Sequence, residues 1–510
     1  MIRARSGGSA TPMPPRTGRR WRRTWTVAAT FGTCASLLAV ALIPDGLYGA
    51  APEEGSRQAS VLPADVATSR GSTDHFNAFS NASGNLGFER EFDFKIGNAI
   101  FRKLWVSAPA STRSSDGLGP LYNARSCQRC HLKDGRGHPP EANWPDDNAT
   151  SMILRLSVPP ATETERRLLA EGRINAVPEP TYGLQLQDFA VQGHRAEGRI
   201  HITYTDVEVR LADGEIVKLR KPTYRIEDPG YGPLHPGTML SPRVAPQMIG
   251  LGLLEIIPET DILALADPDD RDGDGISGRP NHAWSTAGNE LALGRFGWKA
   301  GAPDIPQQTA EAFAADMGLS TSLVPRHWGD CTGRQSDCRA APDGRGSDGY
   351  EVSDRLLKLV TFYARNLAVP ARRSTASPEV AEGERIFTAT GCAACHKPSF
   401  RTGPSTESPH LANLTIWPYT DLLLHDMGPD LADDRPDGRA TGREWRTAPL
   451  WGIGLTKVVN GHTYFLHDGR ARSIMEAILW HDGEAKRSTD RFKALSKRDR
   501  ERLIAFVNSL

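Results

Sequence analysis

Two short runs in this chain have residue types and spacing that could do chemistry: Cys127-Gln-Arg-Cys130-His131 and Cys392-Ala-Ala-Cys395-His396. In a Cys-x-x-Cys-His run the two thiols can add to the vinyl groups of one haem, and the adjacent imidazole can become the proximal iron ligand. Two residues between the cysteines let a single helical turn present both sulfurs to the macrocycle edge. A thioredoxin-type redox pair and half of a zinc site are the other uses of this spacing. Both copies end in His, neither stands beside a thioredoxin-like strand pattern, and an export-type leader precedes them. The reading is two covalently bound haems c.

The surroundings of each motif suggest how it is positioned. Gly97-Asn-Ala-Ile100-Phe101 leads toward the first motif and Gly383-Glu-Arg-Ile386-Phe387 precedes the second, each resembling the short helix that packs across a cytochrome c haem. Leu503, Ile504, Phe506, Val507 and Leu510 recur at helical spacing and resemble the closing helix of such a domain. Strand-like runs lie between, at Ser151–Val158, Arg199–Tyr204, Val207–Leu211 and Glu215–Leu219, where alternation and β-branching predict a small antiparallel insertion. The expected fold is mainly α, with two cytochrome c-like haem domains and that β insertion in the N-terminal one. The expected divisions are a signal peptide over 1–51, a polar linker over 52–75, an N-terminal haem domain over 76–295, a helical connector over 296–378 and a C-terminal haem domain over 379–510. Within the connector, Val360–Val369 has the register of a buried helix.

A chain of 510 residues has room for two or three domains. Its 61 basic and 61 acidic side chains balance only because seven arginines and one aspartate lie before residue 51. Without that segment acids outnumber bases by about six, which gives no footprint for nucleic acid and leaves room for a basic redox partner. The Arg-rich start, the apolar run Thr26–Ile43 and the small residues up to Ala51 have the order of a secretory signal. The expected location is therefore the periplasm, with membrane attachment only if the leader stays uncut. Cys331 and Cys338 then sit in an oxidising compartment and are expected to form a small-loop disulfide.

Arg243-Val-Ala-Pro246-Gln-Met-Ile-Gly-Leu-Gly-Leu253 parallels Arg446-Thr-Ala-Pro449-Leu-Trp-Gly-Ile-Gly-Leu455 with one residue of slippage. A duplicated cytochrome unit accounts for this, and chance likeness of Gly-rich apolar stretches is the alternative. Gly119–Cys127 through Asp134–Gly137, Leu367–Arg373, Pro418–Gly428 and Ser473–Ala485 together resemble the di-haem oxidoreductase family, often labelled thiol oxidoreductase. More distantly the chain is similar to the di-haem cytochrome c peroxidases, the maturation enzyme of methylamine dehydrogenase and the latex-cleaving di-haem oxygenases. The resemblance implies a periplasmic di-haem enzyme or electron carrier whose partner is a small redox protein (cytochrome or cupredoxin) or a small-molecule oxidant.

Ser473-Ile-Met-Glu476 reads as a capping box, and the helix it opens puts Ile474, Ala477, Ile478 and His481 on one face. A satisfied core histidine is the plain reading of that face. The resemblance points instead to a distal ligand, because in the peroxidases that ligand follows a His-x-Gly motif by the interval separating His467 from His481. Met427 is the rival ligand. The loop His467-Asp-Gly-Arg470 resembles the family loop between the haems, where a histidine and an arginine can touch propionates, against a tight turn as the alternative. Arg446 is similar because Arg pairs well with carboxylates, and His467 and Arg446 are catalytic candidates too. No motif declares a sixth ligand for the N-terminal iron, so that site is expected to be open and catalytic, with His138 and Glu255 as candidate proton carriers. Trp445, Trp451 and Trp480 could relay electrons or simply fill the core. Asp270, Asp272, Asp274 and the carbonyl of Ile276 match the first half of a calcium loop, with Asn281 where the closing Glu belongs. A solvated acidic turn is the alternative there, and the related peroxidases hold calcium between their haems. The expected activity is peroxidase-like electron transfer between a bis-His C-terminal haem and the N-terminal one. The alternatives are a non-catalytic electron carrier or an oxygenase of an organic substrate.

Overall fold

From the N-terminus, the elements that position the site are α1 (Phe88–Arg102), β1 (Met152–Ser157), β2 (Arg199–Arg210), β3 (Ile216–Glu227), β4 (Met239–Val244), α2 (Leu251–Glu255), α3 (Ile305–Met317) and α4 (Asp354–Arg365) in the first half. The second half adds α5 (Pro378–Ala389), α6 (Ile474–Leu479), α7 (Lys486–Ala494) and α8 (Lys497–Ser509). The computed structural model describes residues 75–510. The expected leader and nearly all of the linker lie outside them. Among the described residues no helix is long and apolar enough to cross a membrane.

Glycine inside a helix weakens it, so a helical glycine usually marks a close approach. A Cβ at Gly97 of α1 would strike the Leu359 carbonyl and Tyr363 of α4, and one at Gly383 of α5 would strike the Arg502 carbonyl and Phe506 of α8. Each half therefore has a helix pair crossing at a glycine four residues before a phenylalanine. Phe101 lies 5.3 Å from the Tyr363 ring and Phe387 lies 5.2 Å from Phe506. In this way α4, from the stretch read as a connector, plays in the first half the part α8 plays in the second. Helix α3 from the same stretch packs into that core through Ala310, Phe313 and Met317. Helix α4 starts earlier than its apolar register suggested, capped by Ser353, and it stops at Arg365. Pro370 ahead disfavours helix, and the Ala368 N–H goes to Asn81 instead.

Every sheet among the described residues has two strands. Strands β2 and β3 form one long antiparallel hairpin in register from Arg199↔Glu227 to Arg210↔Ile216, so two of the expected short runs are a single strand. The hairpin belongs to the first half by sequence, yet its tip rests on the second. Arg500 of α8, buried, holds Asp213 at 2.7 Å and Glu215 at 3.0 Å, and Leu211 and Leu219 join the core around Phe506. Strand β1 pairs with β4, a strand the sequence did not announce.

The Arg-x-Ala-Pro repeats meet face to face. Gly250 and Gly452 both have φ in the left-handed region, +71° and +72°, where a side chain would be strained. A Cβ at Gly250 would collide with Trp451, and one at Gly452 would collide with Ile249, the residue matching Trp451. That reciprocity is what a two-fold relation between duplicated segments produces. Ile249, Leu253, Trp451 and Leu455 share one buried core.

Candidate functional site

Between the halves lies a cavity of about 1050 Å³, lined by Cys127, Cys130 and His131 on one side and by Cys392, Cys395 and His396 on the other. The first motif is one helical turn, Cys127–Cys130, and the second is a 3-10 turn, Cys392–Ala394. His131 donates its Nδ1–H to the Pro246 carbonyl at 2.8 Å, and His396 donates to the Tyr419 carbonyl at 2.9 Å. A carbonyl only accepts, so each ring is fixed with its Nε2 lone pair free, the tautomer a metal ligand needs. The two carbonyls come from unmatched positions, since only Pro246 lies in the repeat. Phe101 and Phe387 pack beside these rings at 6.2 and 6.3 Å. Burial lowers the pKa of both imidazoles to about 4 and keeps them neutral.

The four sulfurs are unsuited to thiol chemistry. Burial pushes Cys127 up to about 12, takes Cys130 well above its ordinary value, and raises Cys392 and Cys395. A nucleophilic or redox thiol needs the opposite shift. Cys331 and Cys338 are bonded to each other with Cα atoms 6.2 Å apart.

His481 is on the cavity wall, just past the end of α6. Its Nδ1–H goes to Ala477 O at 2.6 Å, so it too offers a free Nε2. His396 and His481 line the same cavity. Ser473 caps α6 as expected, accepting from Glu476 N at 3.1 Å. The box does not close: the Glu476 carboxylate takes the backbone N–H and guanidinium of Arg472. Met427 also reaches the cavity.

His467 stacks flat on Trp445, centroids 3.7 Å apart, and burial drops its pKa to about 3. Its loop is clamped by Asp468, which accepts from Arg470 at 2.8 Å and from Tyr224 of the hairpin at 2.9 Å. Arg446 lines the cavity with only carbonyl partners, Gly297 and Thr447, each at 3.0 Å. Arg136 is similar, held by Tyr464 O at 3.0 Å and by Leu466 O. Burial brings both guanidinium groups down to about 10, with no carboxylate in salt-bridge range among the described residues. Among the described residues Arg155 Nε, on the same wall, is buried without a hydrogen-bond partner. Free imidazole Nε2 atoms, two pairs of cysteine sulfurs and buried arginines without a carboxylate in salt-bridge range (Arg136, Arg155 and Arg446) are together the donor set that two haems with carboxylate side chains would satisfy.

Two expected proton carriers are elsewhere. His138 bonds Pro139 O at 2.7 Å, packs 5.0 Å from His462, and is not on the cavity wall. Glu255 is likewise off the wall: it pairs with Arg365 at 2.6 Å and caps α3 through Ile305 N at 2.9 Å. Trp445 and Trp451 line the cavity, whereas Trp480 does not. The cavity also has Trp298, which bonds Val244 O at 2.8 Å, and Glu311 of α3, neither expected from sequence. The signal for Glu311 was present as a Gln307–Glu311 pair at i, i+4 on a helix otherwise packed through apolar residues. A charge at Arg155 inside an apolar strand was a similar sign.

The acidic loop gathers Asp267, Asp270 and Asp272, with one ligand oxygen of each within 4.8 Å of the others. Asp274 is turned back to cap Ile276 N at 2.8 Å, and Asp267, not part of the expected set, takes its place. Asn281 does not close the loop: it is fully buried and donates to Lys299 O and Asp437 O at 2.6 and 2.8 Å. From the loop, Ser277 donates to Glu484, which holds His425 at 2.6 Å, and His425 also bonds Asp421 at 2.8 Å. Burial works against a charge on His425, but the two carboxylates and the contact with Cys395 prevail and raise its pKa well above the ordinary value.

The sequence profile of the family described as "Di-haem oxidoreductase, putative peroxidase" matches residues 64–510. Comparison with curated proteins gave no match. Among solved structures, a chain of Kuenenia stuttgartiensis hydrazine synthase pressurised with 20 bar xenon aligns at 18% identity over 31% of this chain and 56% of its own, with a TM-score of 0.22. The match thus spans little more than half of that chain.

Proposed function

The chain belongs to the di-haem oxidoreductase family, and on that premise we propose that it is a periplasmic c-type enzyme of the peroxidase kind, passing electrons from a bis-His C-terminal haem to an open N-terminal one. Covalent haem at the two motifs would supply one-electron iron chemistry, with His131 and His396 as proximal ligands and the cavity arginines facing the propionates. A small redox protein, a cytochrome or cupredoxin, would serve as donor. Export is supported by the order of the leader and by the disulfide, which suits an oxidising compartment.

One observation carries the choice of an open N-terminal site. Helices α3 and α6 each follow an Arg-x-Ala-Pro repeat, each precede the closing helix of their half, and both line the cavity. Helix α6 leads to His481, whereas α3 carries no histidine and presents Glu311, Ala312, Ala315, Asp316 and Met317 to the cavity. Met317 packs in the aromatic core with Phe101 and Phe313 where it borders the cavity. The N-terminal half thus has no counterpart of the His481 imidazole on its matching helix. Low-temperature EPR of the ferric protein tests this: one high-spin and one low-spin signal are expected, and His481→Ala should convert the low-spin one, with Met427→Leu leaving both. Two low-spin signals in the wild type would make the protein an electron carrier. Turnover of hydrogen peroxide with an artificial reductant, compared with oxygen uptake on organic substrates, separates peroxidase from oxygenase.

The acidic loop belongs to the same reading as a calcium site bracing the C-terminal motif through Ser277, Glu484 and His425. Calcium should raise the melting temperature of the holoprotein, and Asp270→Asn with Asp272→Asn should abolish that rise. Equal melting curves with calcium and with chelator would remove calcium from the account.

A further inference from the structure

Sequence leaves Trp445 either relaying electrons or filling the core, and its surroundings decide between the two. The ring is buried and lines the cavity that carries both motifs. Lys299 Nζ lies over it at 4.4 Å from the ring centroid, and the Arg243 guanidinium carbon lies at 5.9 Å. Lys299 is fully buried and is not on the cavity wall. Its ammonium donates to Asp433 at 2.7 Å and to the Arg435 and Thr441 carbonyls at 2.9 and 2.8 Å, which fixes Nζ in place. Arg243 pairs with Asp437 at 2.8 Å and lies 3.9 Å from Asp433, and Arg435 shares Asp437 at 3.5 Å. Three cations therefore share two carboxylates beside this ring. Burial brings the Lys299 amine down to about 8 while Asp433 holds it up, so it is charged at pH 7.

A neutral indole attracts a cation placed on its face. An indole that has lost an electron is itself a cation, and the same neighbour then repels it. Proton loss would relieve that charge, but Trp445 Nε1–H is held by the Leu431 carbonyl at 2.9 Å, which is no base. His467, stacked on the ring, is kept neutral by burial and brings no negative charge. Trp298 repeats the pattern, with Arg136 at 5.1 Å and its N–H on the Val244 carbonyl. Arg136, however, faces the propionates on the proposed reading, and they offset its charge.

We propose that Lys299 is a positioning residue that keeps Trp445 reduced, so that oxidising equivalents taken from hydrogen peroxide stay at the haems and do not enter the protein as an electron hole. The inference rests on the peroxidase reading and narrows it to a small oxidant reduced inside the cavity. The barred step is loss of one electron from the Trp445 indole to the oxidised centre in the cavity. Nε1–H would be retained, leaving an indole radical cation beside Lys299.

The test treats the ferric holoprotein with a small excess of hydrogen peroxide and no reductant. Trp445 is read by freeze-quench EPR for an indole radical and by mass spectrometry for oxygen added to its peptide. The wild type should show neither. Lys299→Gln keeps a donor for Asp433 without the charge, and it should raise oxygen addition at Trp445 at least about tenfold, as removing a like charge from contact range implies. Lys299→Arg should stay protected, and Trp445→Phe added to Lys299→Gln should abolish the radical signal. Should Lys299→Gln fail to hold haem, Lys299→Gln with Asp433→Asn removes the buried pair together and carries the same expectation. Trp445 oxidised in the wild type, Trp445 left intact in the neutral variant, or an equal gain at Trp298 would each overturn the assignment. Peroxide left unconsumed by the wild type overturns the peroxidase reading and the shield with it, and that result is seen before any variant is made.

Discussion

At the scale of single residues, the site depends on imidazoles held neutral by burial and aimed by backbone carbonyls. His131, His396 and His481 each spend Nδ1–H on a carbonyl, which commits Nε2 to the cavity. His467 shows what that environment does to a further histidine of the cavity wall. Its pKa falls from 6.5 to about 3, so below pH 6.5 the unfolded chain binds a proton that the native chain refuses. A depressed pKa places this contribution to stability above pH 6.5 and removes it as the pH falls toward 3, by up to about 1.4 kcal/mol per pH unit. His467→Gln should therefore lose less stability than the wild type between pH 7 and pH 4.5, read as urea midpoints. An unchanged pH slope would mean that His467 is already protonated in the folded state. The residues that could be read in advance were those whose chemistry depends on adjacency: the motif cysteines and histidines, and His481 on its helical face. Glu311, Arg136 and Arg155 come to a shared wall from distant parts of the chain, and nothing local to them states which wall that is.

At the scale of elements, the helix pairs were half legible. The Gly-x-x-Ile-Phe runs and the closing apolar helix announced α1, α5 and α8. The partner of α1 went unread because α4 lies more than 200 residues after the first motif, beyond the hairpin insertion, and a helix register says nothing about its partner. The two-strand insertion was legible from alternation, but its tip lands on α8 through Arg500, a contact between distant ion-pair partners that no local pattern carries. Packing at the glycines is the sharpest demand the elements make. A methyl group at Gly383 meets the Arg502 carbonyl, a backbone atom that can yield only if α8 moves. Gly383→Ala should cost at least the 1–3 kcal/mol typical of overpacking and perturb the C-terminal haem spectrum. Gly87→Ala, with nothing within 4 Å of the added methyl, should leave both nearly unchanged. Equal melting temperatures for the two variants would show that α5 and α8 do not cross as described.

At the scale of the molecule, the question is whether two motif-bearing halves can fold apart. Sequence placed a helical connector over 296–378 between the two motif-bearing parts. The structure gives the halves a common interior: Ile249 and Leu253 from one repeat and Trp451 and Leu455 from the other lie in one buried cluster with Phe79, Phe400 and Leu411. The hairpin adds a second tie, laying Leu211 and Leu219 of the first half into the core around Phe387 and Phe506 of the second. Opening either half exposes apolar surface of both, so the holoprotein should unfold in one transition, with absorbance at the two haems and tryptophan fluorescence changing together. Trp451 sits at the centre of the reciprocal contact and is 4% exposed. Its ring touches Gly250 of the opposite repeat, whose backbone conformation leaves no side chain to fill the space that removing the indole would open. Trp451→Ala should cost about 3–5 kcal/mol, the usual range for a buried large aromatic, and the cost should appear at both motifs. Resonance Raman of the variant should show both iron environments altered. If only the C-terminal haem responds, or the wild type unfolds in two separated steps, the halves are independent domains, and the cavity between them is a docking gap rather than a shared core.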